Sequence, residues 1–165
     1  MTRILTALLA LVLVGTAAAQ AVKTTTADTD FVRRAGSASL TQIALGKLAA
    51  EQASSKDVKT YAASMVADYT RANEALARLA GSKGVQIAVA PEPAQQQEID
   101  RIKALDGAAF DRAYSDAVVR DHKQTTGLYQ LEAEKGDDVE IRDYARAQLP
   151  LLKEHEKSAG RLPPF

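Results

Sequence analysis

The chain has 165 residues, with 21 basic and 21 acidic side chains, two histidines and no cysteine. Balanced, interspersed charge leaves no electrostatic footprint for nucleic acid or an anionic membrane surface. The lack of thiols excludes disulfides, thiolate metal sites and a lipid anchor carried on cysteine.

The first residues, MTRILTALLALVLVGTAAAQ, carry the parts of an export signal. Arg3 supplies the positive start, Ile4 to Val14 form an apolar run too short to span a bilayer, and Ala17 and Ala19 give the small-x-small pattern before a cut. Residues 1–19 are therefore expected to be a signal peptide, cleaved before Gln20, and the protein to be exported, with the periplasm as its compartment. No later stretch is apolar enough to cross a membrane. What remains has the size of one domain with a single core.

Residues 20–28, QAVKTTTAD, read as a disordered leader. The domain, expected over 29–162, then consists of helices. Phe31, Ala35, Ala38, Gln42, Leu45, Ala49 and Gln52 recur at steps of four and three, one face of a first helix. SSKD (Ser54 to Asp57) breaks it and offers a new N-cap. The second helix repeats the pattern through Val58, Met65, Tyr69, Ala72, Leu76 and Leu79 and ends at Gly81. A crossover over about 81–105 follows, extended through Val85, Ile87 and Val89 and then helical in AQQQEIDRIKAL. About ten extended residues span ~33 Å, enough to run back along a 24-residue helix at ~1.5 Å per residue.

Asp106 is the expected cap of the next long helix, whose stripe is Phe110, Tyr114, Val118, His122, Thr125, Tyr129 and Glu132, and Gly136 stops it. The last helix runs from about Asp138 to Gly160 through Ile141, Ala145, Leu149, Leu152, His155 and Ala159. It continues past Pro150 with a bend, because the periodicity resumes after the proline. Two hairpins joined by one long crossover predict an all-α, ferritin-like four-helix bundle.

Each stripe carries a group foreign to a dry core: Gln42, Tyr69, His122 and His155. If the first two helices fold about residues 55–56, Gln42 lies opposite Tyr69. If the last two fold near 136–137, His155 lies opposite residue 118, about one turn or ~6 Å from His122. Glu132, ten residues or ~15 Å from His122, falls outside such a level. Two imidazoles, a phenol and an amide suit a transition metal such as zinc, copper or iron, with Asp68 and Asp121 placed to orient the imidazoles as acceptors. The same four groups can instead satisfy one another as a buried polar layer that fixes helix register, with no cofactor, and this is the preferred reading. Val119 and Leu152 stand three residues before the histidines, where a di-iron bundle would carry glutamate.

The segments QIALGKLAAEQASSKDVKTYAASMVADYTRAN, FDRAYSDAVVRDH and YQLEAEKGDDVEIRDYARAQLPLLKEH together resemble a family of secreted bacterial ferritin-like proteins, the domain of unknown function numbered forty-one forty-two. The likeness runs from about Phe31 to Leu162 and includes Leu149–Pro150 inside the last helix. It implies a ferritin-like bundle and a place in the cell envelope, periplasmic or at the outer membrane, without an established activity. His122 and His155 match the family's pattern. Gln42 stands where the family usually has Glu, and Tyr69 where it usually has His after Asp, which implies weakened or lost metal binding in this member.

No nucleophile elbow, phosphate loop or His-Glu-x-x-His run occurs, so no catalytic residue is assigned. EAEKGDDVE (Glu132 to Glu140) reads as a solvated turn rather than a calcium loop, and Tyr61, Tyr114, Tyr129 and Tyr144 as core residues with their hydroxyls at the edge. The leading expectation is a non-enzymatic exported bundle with a binding or structural role, meeting an envelope protein through a helix face or the crossover. The alternative is a metal-binding or redox protein with a degenerate core site.

Overall fold

The computed structural model describes residues 24–162. The expected signal peptide, residues 20–23 of the leader and the last three residues lie outside them. The described residues form an all-α structure of five helices without a strand: α1 (Thr26–Gln52), α2 (Lys56–Ser82), α3 (Pro93–Lys103), α4 (Gly107–Lys135) and α5 (Val139–Ala159). None of these helices is long and apolar enough to cross a membrane.

Helix α1 packs on α2, and α4 on α5; α1 also meets α4, α2 meets α5, and α3 lies against α1 and α4. The stripes explain this arrangement. All seven residues of the α4 stripe are buried, from Phe110 to Glu132, and Ile141, Ala145, Leu152, His155 and Ala159 of α5 face them. Pro150 lies inside α5, which continues through it. On α1 the buried surface wraps further than one stripe. Gly36, Ser37, Ser39, Thr41 and Gly46 are buried as well, because α1 has neighbours on three sides. A methyl group on Gly46 would stand 2.6 Å from Val66 Cγ2 and 3.0 Å from the Ala62 carbonyl oxygen, so that glycine sets the close approach of α1 and α2. Gly36 does the same for the connection between α2 and α3, whose Ile87 lies 2.5 Å from where a Cβ would be.

Residues 26–28, expected to belong to a disordered leader, are the first turn of α1. Thr25 caps α1, its hydroxyl accepting from Asp28 N–H while the Asp28 carboxylate accepts from Thr25 N–H at 2.7 Å, a reciprocal box that starts the helix at Thr26. Asp28 is fully buried. Its other oxygen accepts from the backbone of Asp137 and Asp138, at 3.0 and 3.3 Å, which ties the start of α1 to the α4–α5 turn.

That turn is also not the plain solvated loop expected. Asp138 is buried, caps α5 and pairs with Lys83 at 3.1 Å, and Glu132 is 6 % exposed with one oxygen unpartnered. Burial pushes Asp28 and Asp138 up, but the hydrogen bonds from Thr25 and the turn backbone, and the Lys83 ammonium, outweigh it and hold both below the usual carboxylate range. Glu132 has no such compensation. Burial, then the Asp28 charge beside it, raise it to about 7.

Candidate functional site

Tyr69 comes from α2, His122 from α4 and His155 from α5, each from the inward stripe of its helix. Their rings form a nearly equilateral triangle. The centroids are 5.7 Å apart for Tyr69 and His122, 5.6 Å for Tyr69 and His155, and 5.7 Å for the two imidazoles. His122 is fully buried, and Tyr69 and His155 are nearly so. Helices α4 and α5 thus place both imidazoles in the interior, within about one helical turn of each other.

The hydrogen bonds assign the tautomers. His122 Nδ1 lies 2.7 Å from the Val118 carbonyl oxygen, which can only accept, so Nδ1 carries the proton and the lone pair is on Nε2, with the Tyr61 hydroxyl 3.4 Å away. His155 Nε2 lies 2.9 Å from Asp68 Oδ2, so Nε2 donates and Nδ1 holds the lone pair. That Nδ1 is buried without a partner, as is the Tyr69 hydroxyl. Burial lowers His122 to about 4, against the opposing pull of the Val118 bond, and raises the Tyr69 phenol far above its usual value. At neutral pH His122 is an uncharged imidazole and Tyr69 an intact phenol.

Gln42 is buried on α1, and its amide donates to Asp121 Oδ2 at 3.4 Å, the residue next to His122. Its own oxygen has no partner. Asp68 therefore orients an imidazole as the sequence suggested, whereas Asp121 serves Gln42 instead. Burial raises Asp121 to about 6.

A further ring was missed as a neighbour of the site. Tyr61, one turn before Met65 on α2, lies 6.2 Å from His122 by centroids, with its hydroxyl 3.4 Å from both ring nitrogens. It was expected as a core residue with its hydroxyl at the edge, and nothing in the spacing marked it as a neighbour of His122. Tyr114, expected to keep its hydroxyl at the edge, is wholly buried with that hydroxyl unpartnered.

The donor set defines what the level can hold. Among the described residues no three His, Asp or Glu side chains gather closely enough to hold a metal ion. Any ion here would depend on the two imidazoles supplemented by the Tyr69 oxygen. Two imidazoles sharing an ion at ~2.1 Å per nitrogen keep their centroids within ~6.4 Å, and 5.7 Å satisfies that. On the α1/α4 side a small chamber of about 50 Å³ reaches Gln42 and Asp121. It shares Thr41, Gln95, Asp121 and Gln124 as lining residues with a larger cleft of about 410 Å³ beneath α3.

No curated protein and no solved structure matches the chain significantly. A family profile described as a domain of unknown function (DUF4142) matches residues 14–162, nearly the whole sequence and more than the 31–162 over which the resemblance was first drawn. The chain belongs to that family.

Proposed function

We propose that this is an exported, ferritin-like four-helix bundle of the cell envelope with a binding rather than an enzymatic role, and that its core level binds a transition metal ion, zinc, copper or iron. The bundle reading is supported by the contacts of α1 with α2 and α4 and of α5 with α2 and α4, with α3 carried on the connection between the hairpins.

One observation carries the metal reading. Each imidazole has one nitrogen tied by a hydrogen bond to an acceptor, Val118 or Asp68; of the opposite nitrogens, His155 Nδ1 has no partner and His122 Nε2 has only the Tyr61 hydroxyl at 3.4 Å, a long contact that a ligand can replace. This is how metal-binding histidines are held. A purely structural layer would close on itself, yet His155 Nδ1, the Tyr69 hydroxyl and the Gln42 oxygen are buried with nothing to bond. Imidazole suits zinc, copper and iron alike, so the donor set favours the class and not one metal.

Calorimetric titration of the purified protein with each ion tests it. Micromolar or tighter binding, lost in a His122→Gln, His155→Gln double variant that keeps its circular dichroism, is expected. Absence of binding, or binding indifferent to both histidines, leaves a register-fixing layer in a bundle whose role is to meet an envelope protein. Export is tested separately by the N-terminus of the protein recovered from a periplasmic fraction, expected at Gln20.

A further inference from the structure

The three rings are closed off from solvent, so an ion bound among them needs a way in. The cleft beneath α3 and the chamber beside it are both lined by Asp121, next to His122 on α4. The cleft lies between α3 and the α1/α4 pair, with Leu45 and Ile99 as floor and Glu98, Arg120 and Gln124 at the rim. The chamber ends on Gln42 and Asp121. About 50 Å³ is room for a few waters but not for an organic ligand.

The lining is polar. Glu98 and Asp121 supply carboxylates, Gln95 and Gln124 amides, and Thr41 a hydroxyl. Glu98 is held by Arg101 at 2.7 Å and by Arg120 at 2.9 Å, so Asp121 is the carboxylate of the lining without a close ion pair. Inside, the Gln42 oxygen is buried, 3 % exposed by residue, and has no donor. A polar passage ending on the Asp121 carboxylate and an unsatisfied amide oxygen fits a hydrated cation that exchanges water for protein oxygen as it moves inward.

We propose that this cleft is the path by which the metal cation reaches the imidazole pair, with Asp121 and the Gln42 oxygen as its last oxygen ligands before His122. The inference rests on the core level being the metal site. Asp121 and His122 are consecutive on α4, so a step of ~100° about the helix carries the ion from the cleft face to the interior face. Helix α3 is the cover, held down by Ile99 and Ile102 in the core and latched at the rim by Glu98 and Arg120.

Stopped-flow binding of Co²⁺, read by its visible absorption, tests the path in the purified protein. Gln124→Trp, at an exposed rim position, should narrow the mouth without touching the core. Asp121→Asn keeps the shape and removes the charge. Both should slow association about tenfold or more, and slow dissociation in parallel, so that affinity changes less than threefold. Arg120→Gln, which releases the latch, should speed both. Binding by every variant at the parent's rates overturns the path and leaves the core site standing, with the Asp68 face as the way in. Faster dissociation alone in Asp121→Asn overturns it too, because Asp121 is then a ligand of the resting site. No binding of Co²⁺ by the parent overturns both the path and the metal site.

Discussion

His155 on α5 and Asp68 on α2 meet across the hairpins, Nε2 to Oδ2, at 2.9 Å. Asp68 also holds Arg71 of its own helix, so its carboxylate is positioned from two sides. The bond fixes the imidazole proton on Nε2 and turns Nδ1 away, into the protein, without a partner. Asp68→Ala should therefore release the tautomer. Nitrogen-detected NMR at neutral pH should show the Nε2–H form of His155 in the parent and a mixture in the variant. Affinity for the core metal should fall about 10-fold or more, the usual loss when an acceptor behind a metal-bound histidine is removed. An unchanged tautomer in the variant refutes the assignment.

Asp111 plays a corresponding part at the other end of the fold. Its carboxylate, 2 % exposed, accepts from Ser54 N–H at 3.1 Å and Ser55 N–H at 2.9 Å, so α4 closes the turn between α1 and α2. Asp111→Ala leaves two donors of a half-buried turn without this partner and should cost about 2 kcal/mol of stability. Asp111→Asn keeps one acceptor oxygen and should cost about half as much. Urea denaturation measures both. Equal losses would mean that packing, not the hydrogen bonds, holds the turn.

Much of this was legible because burial followed the three-and-four spacing. The α4 stripe chosen from the sequence is buried at every position. The polar face of α1 was not legible. Ser39 and Thr41 lie off the α1 stripe read from the spacing, but each hydroxyl donates at 2.9 Å to a helix carbonyl four residues back, which satisfies it and lets it enter the core. The glycines beside them matter for what they lack, and a missing side chain leaves no periodic signal. Asp28 was obscured by its polar context TTTAD, although Thr25-x-x-Asp28 is itself a helix-start signature. Among the rings, stripe positions gave the shared level of Tyr69, His122 and His155. Which nitrogen is free depends on partners in other turns, Val118 and Asp68, and spacing alone does not assign that.

Glu132 makes stability depend on pH in an unusual sense. Its carboxyl is raised from the ordinary 4.5 to about 7 by burial and by the Asp28 charge, so between those values the folded state binds more protons than the unfolded chain. The contribution is complete below about 4.5 and is lost as pH rises through about 7. Each pKa unit corresponds to ~1.4 kcal/mol, but Glu132 also borders a surface groove between α1 and α4, where water screens part of the effect, so about 2 kcal/mol is expected. Asp28 and Asp138, held low, act oppositely and lose their contributions only as pH falls below the carboxylate range. His122, held down to about 4, gains stability as pH rises to about 6.5, and Asp121, raised to about 6, loses it, so the Glu132 part is read from the difference between parent and Glu132→Gln over pH 5 to pH 8.5. The parent should lose stability relative to Glu132→Gln as pH rises through about 7, and a difference that does not change with pH contradicts the assignment.

Tyr69 is the position where the site can be strengthened or tested for emptiness. Its hydroxyl is buried and unpartnered, at the third corner of a triangle whose other corners are imidazoles 5.6 and 5.7 Å away. In metal-free protein, Tyr69→Phe removes a hydroxyl that bonds nothing, so stability should stay level or rise by up to about 1 kcal/mol. A clear loss would show that the hydroxyl is satisfied in solution, by water or by a neighbour. Tyr69→His instead places a third imidazole at the same corner and turns a two-nitrogen site into a three-nitrogen one, the donor set of many zinc centres. Affinity for zinc or copper should rise by about two orders of magnitude, and Tyr69→Phe should bind more weakly than the parent. Both are read by competition against a chelator of known affinity. If Tyr69→His binds no better than Tyr69→Phe, the third corner does not face the ion, and the triangle of rings is a packing arrangement alone.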